Sequence, residues 1–212
     1  MEFGALAPYE AALRSAAPLR LRTHVGELVH LDVGRWLGGT DAADTTVLDR
    51  CRGPVLDVGC GPGRFVAALT ARGVPALGVD IAEGAVALTR RAGHPALLRD
   101  VFGDVPGAGR WPTVLVMDGN VGIGGDPVRL LTRLVGLLAA SGRLIVEAHP
   151  DPARDEQLQV RFAVDGGRPT GPEFGWAQVG IDALAGYATA ARARVVETWT
   201  AGGRPFAVIA RG

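Results

Sequence analysis

Short apolar runs alternate with amphipathic segments along most of the chain, the pattern of a protein that interleaves strands and helices. Apolar runs bounded by turn residues predict strands at 55–58, 76–80, 96–102, 111–118 and 143–148. Apolar residues at helical spacing predict helices at 8–17, 41–50, 65–72, 81–91, 128–139 and 181–193. Because helices separate these strands, we expect one sheet whose strands run parallel.

The last third of the chain has a different pattern, which predicts hairpins. Runs at 195–200 and 206–210, joined through Gly202-Gly203, predict an antiparallel hairpin that closes the sheet. Residues 150–178 are polar and rich in Pro and Gly, and predict a second hairpin that turns around Gly166-Gly167. A length of 212 residues suits a single α/β domain with a substantial core.

One turn carries the strongest candidate chemistry. It follows the first predicted strand of the core and has the spacing Asp57-x-Gly59-x-Gly61-x-Gly63 before a predicted helix. Glycine lets the backbone approach a ligand closely and adopt positive φ. The helix that begins after the turn offers free N–H groups and the positive end of its dipole. Strand, glycine-rich turn and helix together predict a nucleotide-type site.

The segment resembles motif I of the class I S-adenosylmethionine (SAM) dependent methyltransferases. The dinucleotide fingerprint G-x-G-x-x-G differs, because its third glycine comes one residue later. The resemblance covers roughly residues 47–148 by motif and the closing hairpin by pattern. It implies a Rossmann-like three-layer sandwich with a mostly parallel seven-stranded sheet and an antiparallel C-terminal hairpin. It also implies SAM as the cofactor and methyl transfer to a small-molecule acceptor, with a hydroxyl of a secondary metabolite as the expected target.

The resemblance also implies which residues contact the cofactor. Asp80 ends the second core strand, and a carboxylate there can accept hydrogen bonds from both ribose hydroxyls. Ile81 follows it and is placed to pack on the adenine. The expected cofactor contacts are Asp57, Gly59, Cys60, Gly61, Pro62, Gly63, Asp80, Ile81, Asp100, Val101, Phe102, Asp118, Gly119 and Asn120.

The segments around the core are expected to bind the acceptor. We divide the single domain into an N-terminal cap segment (1–50), a SAM-binding core (51–148), an acceptor-lid insertion (150–178), and a closing helix and hairpin (179–212). A packing extension and a plain surface hairpin are the alternatives for the cap and the insertion. The residues that we expect to contact the acceptor are His30, Trp36, Glu147 and Trp176.

A hydroxyl acceptor would need a base, and an unperturbed histidine suits that role near neutral pH. His149 directly follows the fifth core strand, and ligands of open α/β sheets bind beyond the carboxyl ends of the strands. Alternation along that strand puts Glu147 on the same face. His149 is therefore the predicted catalytic base, and a strand cap before Pro150 is the alternative.

Composition and charge narrow the class of protein. The chain is 48% hydrophobic and 21% charged, with 22 basic residues against 22 acidic ones and no lysine, so a nucleic-acid partner is not indicated. The start lacks a secretory signal, no segment reads as a membrane span, and Cys51 and Cys60 have neither disulfide-scaffold nor zinc spacing. We expect a cytoplasmic protein without metal and without a membrane partner.

Two other functions stay open at this point. An NAD-linked Rossmann oxidoreductase would share the strand–turn–helix unit, although the glycine spacing and the closing hairpin count against it. A non-catalytic SAM-binding protein would bind the cofactor and turn over no acceptor.

Overall fold

The computed structural model describes residues 6–164 and 166–212. The first residues of the predicted cap segment, 1–5, and Asp165 of the predicted insertion lie outside the described residues. The strands are β1 (Leu19–Thr23), β2 (Leu28–Leu31), β3 (Val55–Val58), β4 (Ala76–Asp80), β5 (Ala96–Leu98), β6 (Trp111–Val116), β7 (Leu138–Glu147), β8 (Asp155–Val164), β9 (Arg168–Val179), β10 (Ala193–Ala201) and β11 (Arg204–Arg211). The helices are α1 (Ala7–Ser15), α2 (Val33–Leu37), α3 (Ala42–Leu48), α4 (Arg64–Ala71), α5 (Glu83–Arg91), α6 (Pro127–Leu137) and α7 (Ile181–Ala190), and a 3₁₀ segment spans Asn120–Gly125.

The predicted core strands form a seven-stranded sheet in the order β10-β11-β7-β6-β3-β4-β5. Strands β7, β6, β3, β4 and β5 pair in parallel, and β11 is antiparallel to both β7 and β10. The fold class is confirmed: this is a mostly parallel Rossmann-like sheet that an antiparallel C-terminal hairpin closes. The carboxyl ends of β3, β4 and β6 therefore meet at one edge, where ligands of open α/β sheets bind.

Apolar side chains cover both faces of this sheet. Alternate residues of β6 divide between the two faces: Val114 and Val116 pack in a cluster with α6 and α7, whereas Leu115 packs in a cluster with α3 and α4. Strand β3 is buried along its whole length. Helices on both faces of a parallel sheet explain why the core strands read as continuous apolar runs.

A second sheet, which the sequence did not predict, joins the two flanking segments. Its order is β2-β1-β8-β9 and all its pairs are antiparallel. Strands β1 and β2 come from the cap segment, and β8 and β9 form the predicted hairpin of the insertion. In register, Leu21 lies opposite Phe162, and both side chains are buried in one cluster with residues of α1. The cap and the insertion are thus one structural layer.

Some predicted boundaries were wrong around Gly142. We expected a helix to Ala139 and a strand from Arg143, but α6 ends at Leu137 and β7 begins at once. Against β6, the partner of Trp111 is Leu138 and that of Thr113 is Arg143, so β7 carries a bulge. A Cβ at Gly142 would lie 2.6 Å from the Trp111 carbonyl oxygen, so glycine here permits a close contact between β7 and β6.

The helices of the described chain fall short of the length and hydropathy that a bilayer crossing requires.

Helix α3 begins where the sequence predicted, since Asp41 is its N-cap and its side chain accepts a 2.7 Å hydrogen bond from the Asp44 amide.

Candidate cofactor and acceptor site

The glycine turn between β3 and α4 is held against β4. The amides of Gly59 and Cys60 both donate to the Val79 carbonyl, at 2.9 and 3.1 Å. Gly59, Gly61 and Gly63 all have positive φ, a conformation that strains other residues. The turn therefore presents backbone at the carboxyl edge of the sheet.

The three glycines are needed for different contacts. A Cβ at Gly59 would collide with the side chain of Asn120, whose Nδ2 donates to the Gly59 carbonyl at 2.9 Å. A Cβ at Gly63 would lie 2.5 Å from Cγ2 of Thr89, so Gly63 lets the turn pack on α5. A Cβ at Gly61 would point toward Tyr9, 3.2 Å from its hydroxyl. Gly61 borders the open cavity, whereas Gly63 serves packing.

A cavity opens in front of this turn, and we call it the first cavity. One wall is the carboxyl edge of the large sheet, including Asp57, Gly61, Asp80 and Ile81. The rest of the lining comes from α1, α2 and the small sheet, and its side chains are mostly apolar or aromatic: Leu6, Tyr9, Leu21, Leu31, Trp36, Phe162, Phe174 and Trp176.

Asp57 is a buried acid that borders the first cavity. Its side chain is 3% exposed, and no described residue donates a hydrogen bond to it. Burial, with the nearby charges of Asp118 and Asp80, raises the pKa of Asp57 to about 8. A buried carboxylate without a partner is costly. A ligand with positive charge, as SAM has on its ammonium and sulfonium groups, would fit this orphaned acid.

Asp80 supports the turn as well as the cavity. Its Oδ2 accepts a hydrogen bond from the Gly61 amide at 2.9 Å, and its Oδ1 accepts one from the Ala82 amide at 2.8 Å. Each carboxylate oxygen keeps a further acceptor site that a ribose hydroxyl could use. Burial raises the pKa of Asp80, and the two amides oppose that rise.

Helix α1 covers the first cavity through residues that the sequence analysis missed. Tyr9 lines the cavity and meets the Trp36 ring edge-on at 5.8 Å. Burial and the charge of Asp80 raise the pKa of Tyr9 well above its ordinary value. Glu10 anchors the helix, because its Oε1 accepts the Gly84 amide at 2.8 Å at the start of α5. The available signal was the predicted helix at 8–17 with adjacent aromatic and acidic residues.

A cluster of charged side chains lies beside the cavity, and we call it the ion-pair cluster. Arg64 donates through Nη2 to both Asp118 oxygens, at 2.8 and 2.7 Å, and through Nη1 to Asp44. Arg35 reaches the same Asp118 carboxylate at 2.8 Å. The cluster consists of Arg35, Asp44, Arg64, Asp118, Glu147 and Arg204. Arg64 follows the third glycine directly and was also missed.

The ion-pair cluster changes the expected roles of two residues. Asp118 lines the cavity, but its carboxylate pairs with two arginines, and its φ of 57° places the chain in the left-handed region. Glu147 accepts two hydrogen bonds from Arg204, at 2.9 and 2.7 Å. Both carboxylates pair with guanidinium groups. Burial still raises the pKa of Asp118, although Arg64 and Arg35 oppose that rise.

A second cavity adjoins the first, and the two share Leu31, Asp118 and Trp176. It is more polar, and the predicted residues His30, Gly119, Glu147 and His149 line it. The Nδ1 atom of His149 accepts the Asp151 amide at 3.1 Å. In neutral His149 the proton therefore lies on Nε2.

The structure thus groups the predicted site residues into three sets. The first cavity is lined by Trp36, Asp57, Gly59, Cys60, Gly61, Pro62, Asp80, Ile81, Asp100, Val101, Asp118, Asn120 and Trp176. Gly119 lines the second cavity and not the first. Gly63 and Phe102 line neither, and the Phe102 ring lies under the Arg129 guanidinium at 4.2 Å.

The glycine-rich loop after β6 packs against β9 through two of its glycines. A Cβ at Gly122 would meet the backbone of Ala177, and one at Gly125 would lie 2.9 Å from the Gly175 backbone. These contacts seat the small sheet on the core.

Comparison with known proteins agrees with this geometry. Residues 55–106 match a family model described as a methyltransferase domain. Ribosomal RNA small subunit methyltransferase C of Chromohalobacter salexigens is 40% identical over 116 residues, which are 49% of this chain. The match spans only 34% of that relative.

Solved structures show the same fold. A SAM-dependent methyltransferase from Bacteroides fragilis, in complex with S-adenosyl-L-homocysteine, superposes with a TM-score of 0.77 at 20% identity, covering 99% of this chain and 94% of that one. The 1,6-didemethyltoxoflavin-N1-methyltransferase of Burkholderia thailandensis superposes with a TM-score of 0.57 at 20% identity, covering 78% of this chain and 73% of that one.

The matched segment contains the glycine turn and Asp80, and the closing antiparallel hairpin counts against the NAD-linked alternative. SAM is the cofactor of the matching family, and the orphaned Asp57 suits its positive charge. The chain therefore shares the fold of known S-adenosylmethionine-dependent methyltransferases, and its residues 55–106 match the methyltransferase-domain family model.

Proposed function

We propose that the protein transfers a methyl group from SAM to a small, largely apolar acceptor that binds under the four-stranded sheet. One observation carries this proposal. The first cavity is lined both by the glycine turn with the orphaned Asp57 and by Phe162, Phe174 and Trp176, which we call the aromatic wall. A nucleoside site and an aromatic wall thus share one space, as a bimolecular transfer requires.

The chain's own residues bind and orient the reactants in this proposal. Bound SAM supplies an electrophilic methyl group on its sulfonium. Gly59 and Gly61 allow close approach of backbone, Asp57 pairs with the positive charge, and Asp80 accepts the ribose hydroxyls. The aromatic wall excludes water and aligns the acceptor for in-line attack.

For a hydroxyl acceptor we propose His149 as the base, in the second cavity beside Trp176. Its Nδ1 must first release the Asp151 amide, because Nε2 carries a proton in the neutral ring. Glu147 is a positioning residue here, since Arg204 neutralises it and its Oε2 accepts the Asp118 amide at 2.9 Å.

His149→Ala should lower kcat and remove the rise of kcat with pH, with SAM affinity unchanged. His24→Ala is the matched control, because His24 is exposed and lines neither cavity. Full turnover with the same pH profile in His149→Ala would leave orientation alone as the mechanism.

A nucleic-acid acceptor is the second candidate, and the ribosomal RNA methyltransferase relative favours it. Arg20 and Arg22 alternate with the buried residues of β1, and Arg22 lies opposite Arg161 on β8. This outer face of the small sheet could contact phosphates. The formal net charge of zero favours the small-molecule acceptor instead. We also propose that the protein acts in the cytoplasm.

One experiment separates the candidates. Full-length protein is incubated with SAM labelled on its methyl group, together with a panel of hydroxylated aromatic compounds or with small-subunit ribosomal RNA. Label in the organic-soluble product supports the proposal, and label in RNA alone supports the second candidate. Absence of SAM binding by calorimetry would contradict both. SAM binding without transfer to any acceptor would favour a non-catalytic SAM-binding protein.

The aromatic wall provides a sharper test. Trp176→Ala should abolish transfer to a small acceptor and leave SAM affinity within about threefold. Trp199→Ala is the control, because Trp199 stacks on Phe206 in the closing hairpin and lines neither cavity. Equal loss of transfer in the two variants would argue against an acceptor site at this wall.

A further inference from the structure

Asp57 lies on the cavity floor without a protein partner for its charge. It is 3% exposed, and none of the described residues donates to its carboxylate. Such a group either keeps a proton or pairs with a cation. Its protonation state therefore depends on what occupies the first cavity.

The groups around Asp57 do not supply that cation. Asp80, at the end of β4, is bonded to two backbone amides, and Arg64 of α4 is shared by Asp44 and Asp118. The charged and titratable groups that face Asp57 or its immediate neighbours are Tyr9 of α1, Cys51 before β3, Cys60 of the glycine turn, Arg64, Asp80 and Asp118. Arg64 is the one permanent cation in this set, and it pairs with Asp44 and Asp118. Arg99 also lines the first cavity, and its Nη1 donates to the Leu98 carbonyl.

We infer that Asp57 is a proton-linked sensor of ligand charge, which releases its proton when the cationic SAM binds and retains more of it when the product S-adenosylhomocysteine binds. The inference rests on the proposed function. SAM carries a sulfonium charge that the product lacks, whereas both carry the same ammonium and carboxylate groups. The two ligands therefore differ by one positive charge near the same acid.

The proton balance of turnover follows. The acceptor oxygen forms a bond to the methyl carbon, the carbon–sulfur bond breaks, and its electron pair stays on sulfur. The acceptor proton leaves to a base. Asp57 then regains a proton from the solvent, because the sulfonium charge that helped to stabilise its negative charge is gone. Reprotonation weakens the hold on the ammonium group and favours product exchange.

This behaviour predicts different pH dependences for the two ligands. Burial holds the pKa of Asp57 at about 8 without ligand, so SAM must displace a proton below that pH. SAM affinity should rise between about pH 6 and pH 8, by up to tenfold per unit. The affinity for the product should rise less over the same range, and the preference for SAM should grow.

Calorimetry with the full chain tests the inference. SAM and S-adenosylhomocysteine are titrated near pH 7 in two buffers that differ in ionisation enthalpy, which gives the protons released per ligand. We expect close to one proton for SAM, clearly fewer for the product, and none for either ligand with Asp57→Asn. Asp104→Asn, an exposed acid that lines neither cavity, should behave as the wild type does.

Equal proton release for the two ligands, or unchanged release in a folded Asp57→Asn protein, would overturn the inference. Circular dichroism and thermal unfolding establish whether the variant is folded. If it is not, the difference in proton release between SAM and S-adenosylhomocysteine in the wild type tests the inference. Normal binding without proton linkage rejects only this inference. Absence of binding by both ligands rejects the proposed function as well.

Discussion

Arg204 donates two hydrogen bonds to the carboxylate of Glu147, from Nε to Oε1 at 2.9 Å and from Nη2 to Oε2 at 2.7 Å. The same Oε2 accepts the backbone amide of Asp118 at 2.9 Å. The closing hairpin, through Arg204, thus holds the turn after β6 at the junction of the two cavities. Glu147 therefore stabilises the site by linking Arg204 to the backbone of Asp118.

Glu147→Gln should lower the free energy of unfolding by about 3–5 kcal/mol, because it leaves the Arg204 charge buried and incompletely paired. Glu197→Gln is the matched control. Glu197 pairs with Arg50 at 2.7 Å on the surface, and its loss should cost less than about 1 kcal/mol. Urea unfolding near pH 7 measures both, and similar losses in the two variants would contradict a structural role for the buried pair.

The same ion pair should shape stability in acid. Burial would raise the pKa of Glu147, but the hydrogen bonds and charge of Arg204 outweigh it and lower that pKa. A folded-state pKa below the unfolded one contributes stability that is present above about pH 4.3 and is lost as pH falls through the lowered pKa. Unfolding curves of Glu147→Gln should therefore show a shallower acid limb than those of the wild type.

Asp57 should have the opposite effect on stability when no ligand is bound. Its folded-state pKa of about 8 lies above the ordinary value of 3.8, so the folded protein binds more protons than the unfolded chain between these limits. Stability should fall with rising pH, by at most about 1.4 kcal/mol per unit from this group. Asp57→Asn should match the wild type only below about pH 4, and its advantage should grow as the pH rises toward 8. Parallel curves in chemical denaturation would refute the raised pKa.

Gly61→Ala should weaken SAM binding by tenfold or more, about 1.4 kcal/mol, because the new methyl group enters the space between the turn and Tyr9. Gly73→Ala is the control: its φ of 71° is also positive, and nothing lies within 4 Å of its added Cβ. Both variants should lose about 1–2 kcal/mol of stability from backbone strain. Equal SAM affinities by calorimetry would show that Gly61 does not border the ligand.

Asp80→Asn should weaken SAM binding by roughly ten- to a hundredfold, since an amide offers one acceptor oxygen where the carboxylate offers two charged ones. The Gly61 and Ala82 amides already use one position on each oxygen. Asp104→Asn should have no effect. Unchanged affinity in Asp80→Asn would restrict Asp80 to supporting the turn.

Local sequence patterns were sufficient to predict the large sheet. Parallel strands that are buried on both faces have continuous apolar sequences. The glycines of the turn indicate where the backbone can adopt positive φ. Asp57, Gly61 and Asp80 could be found because they lie at the ends of successive strands, and strand ends of a parallel sheet share one edge.

Contacts between segments that are distant in sequence became visible only in the folded protein. Pairing of β1 with β8 joins residues more than a hundred positions apart, and no local pattern encodes that register. Tyr9 and Arg64 were missed because their roles depend on what surrounds them rather than on their own spacing. Asp118 and Glu147 read as free acids in the sequence, and only folding brings Arg35, Arg64 and Arg204 against them and neutralises their charge.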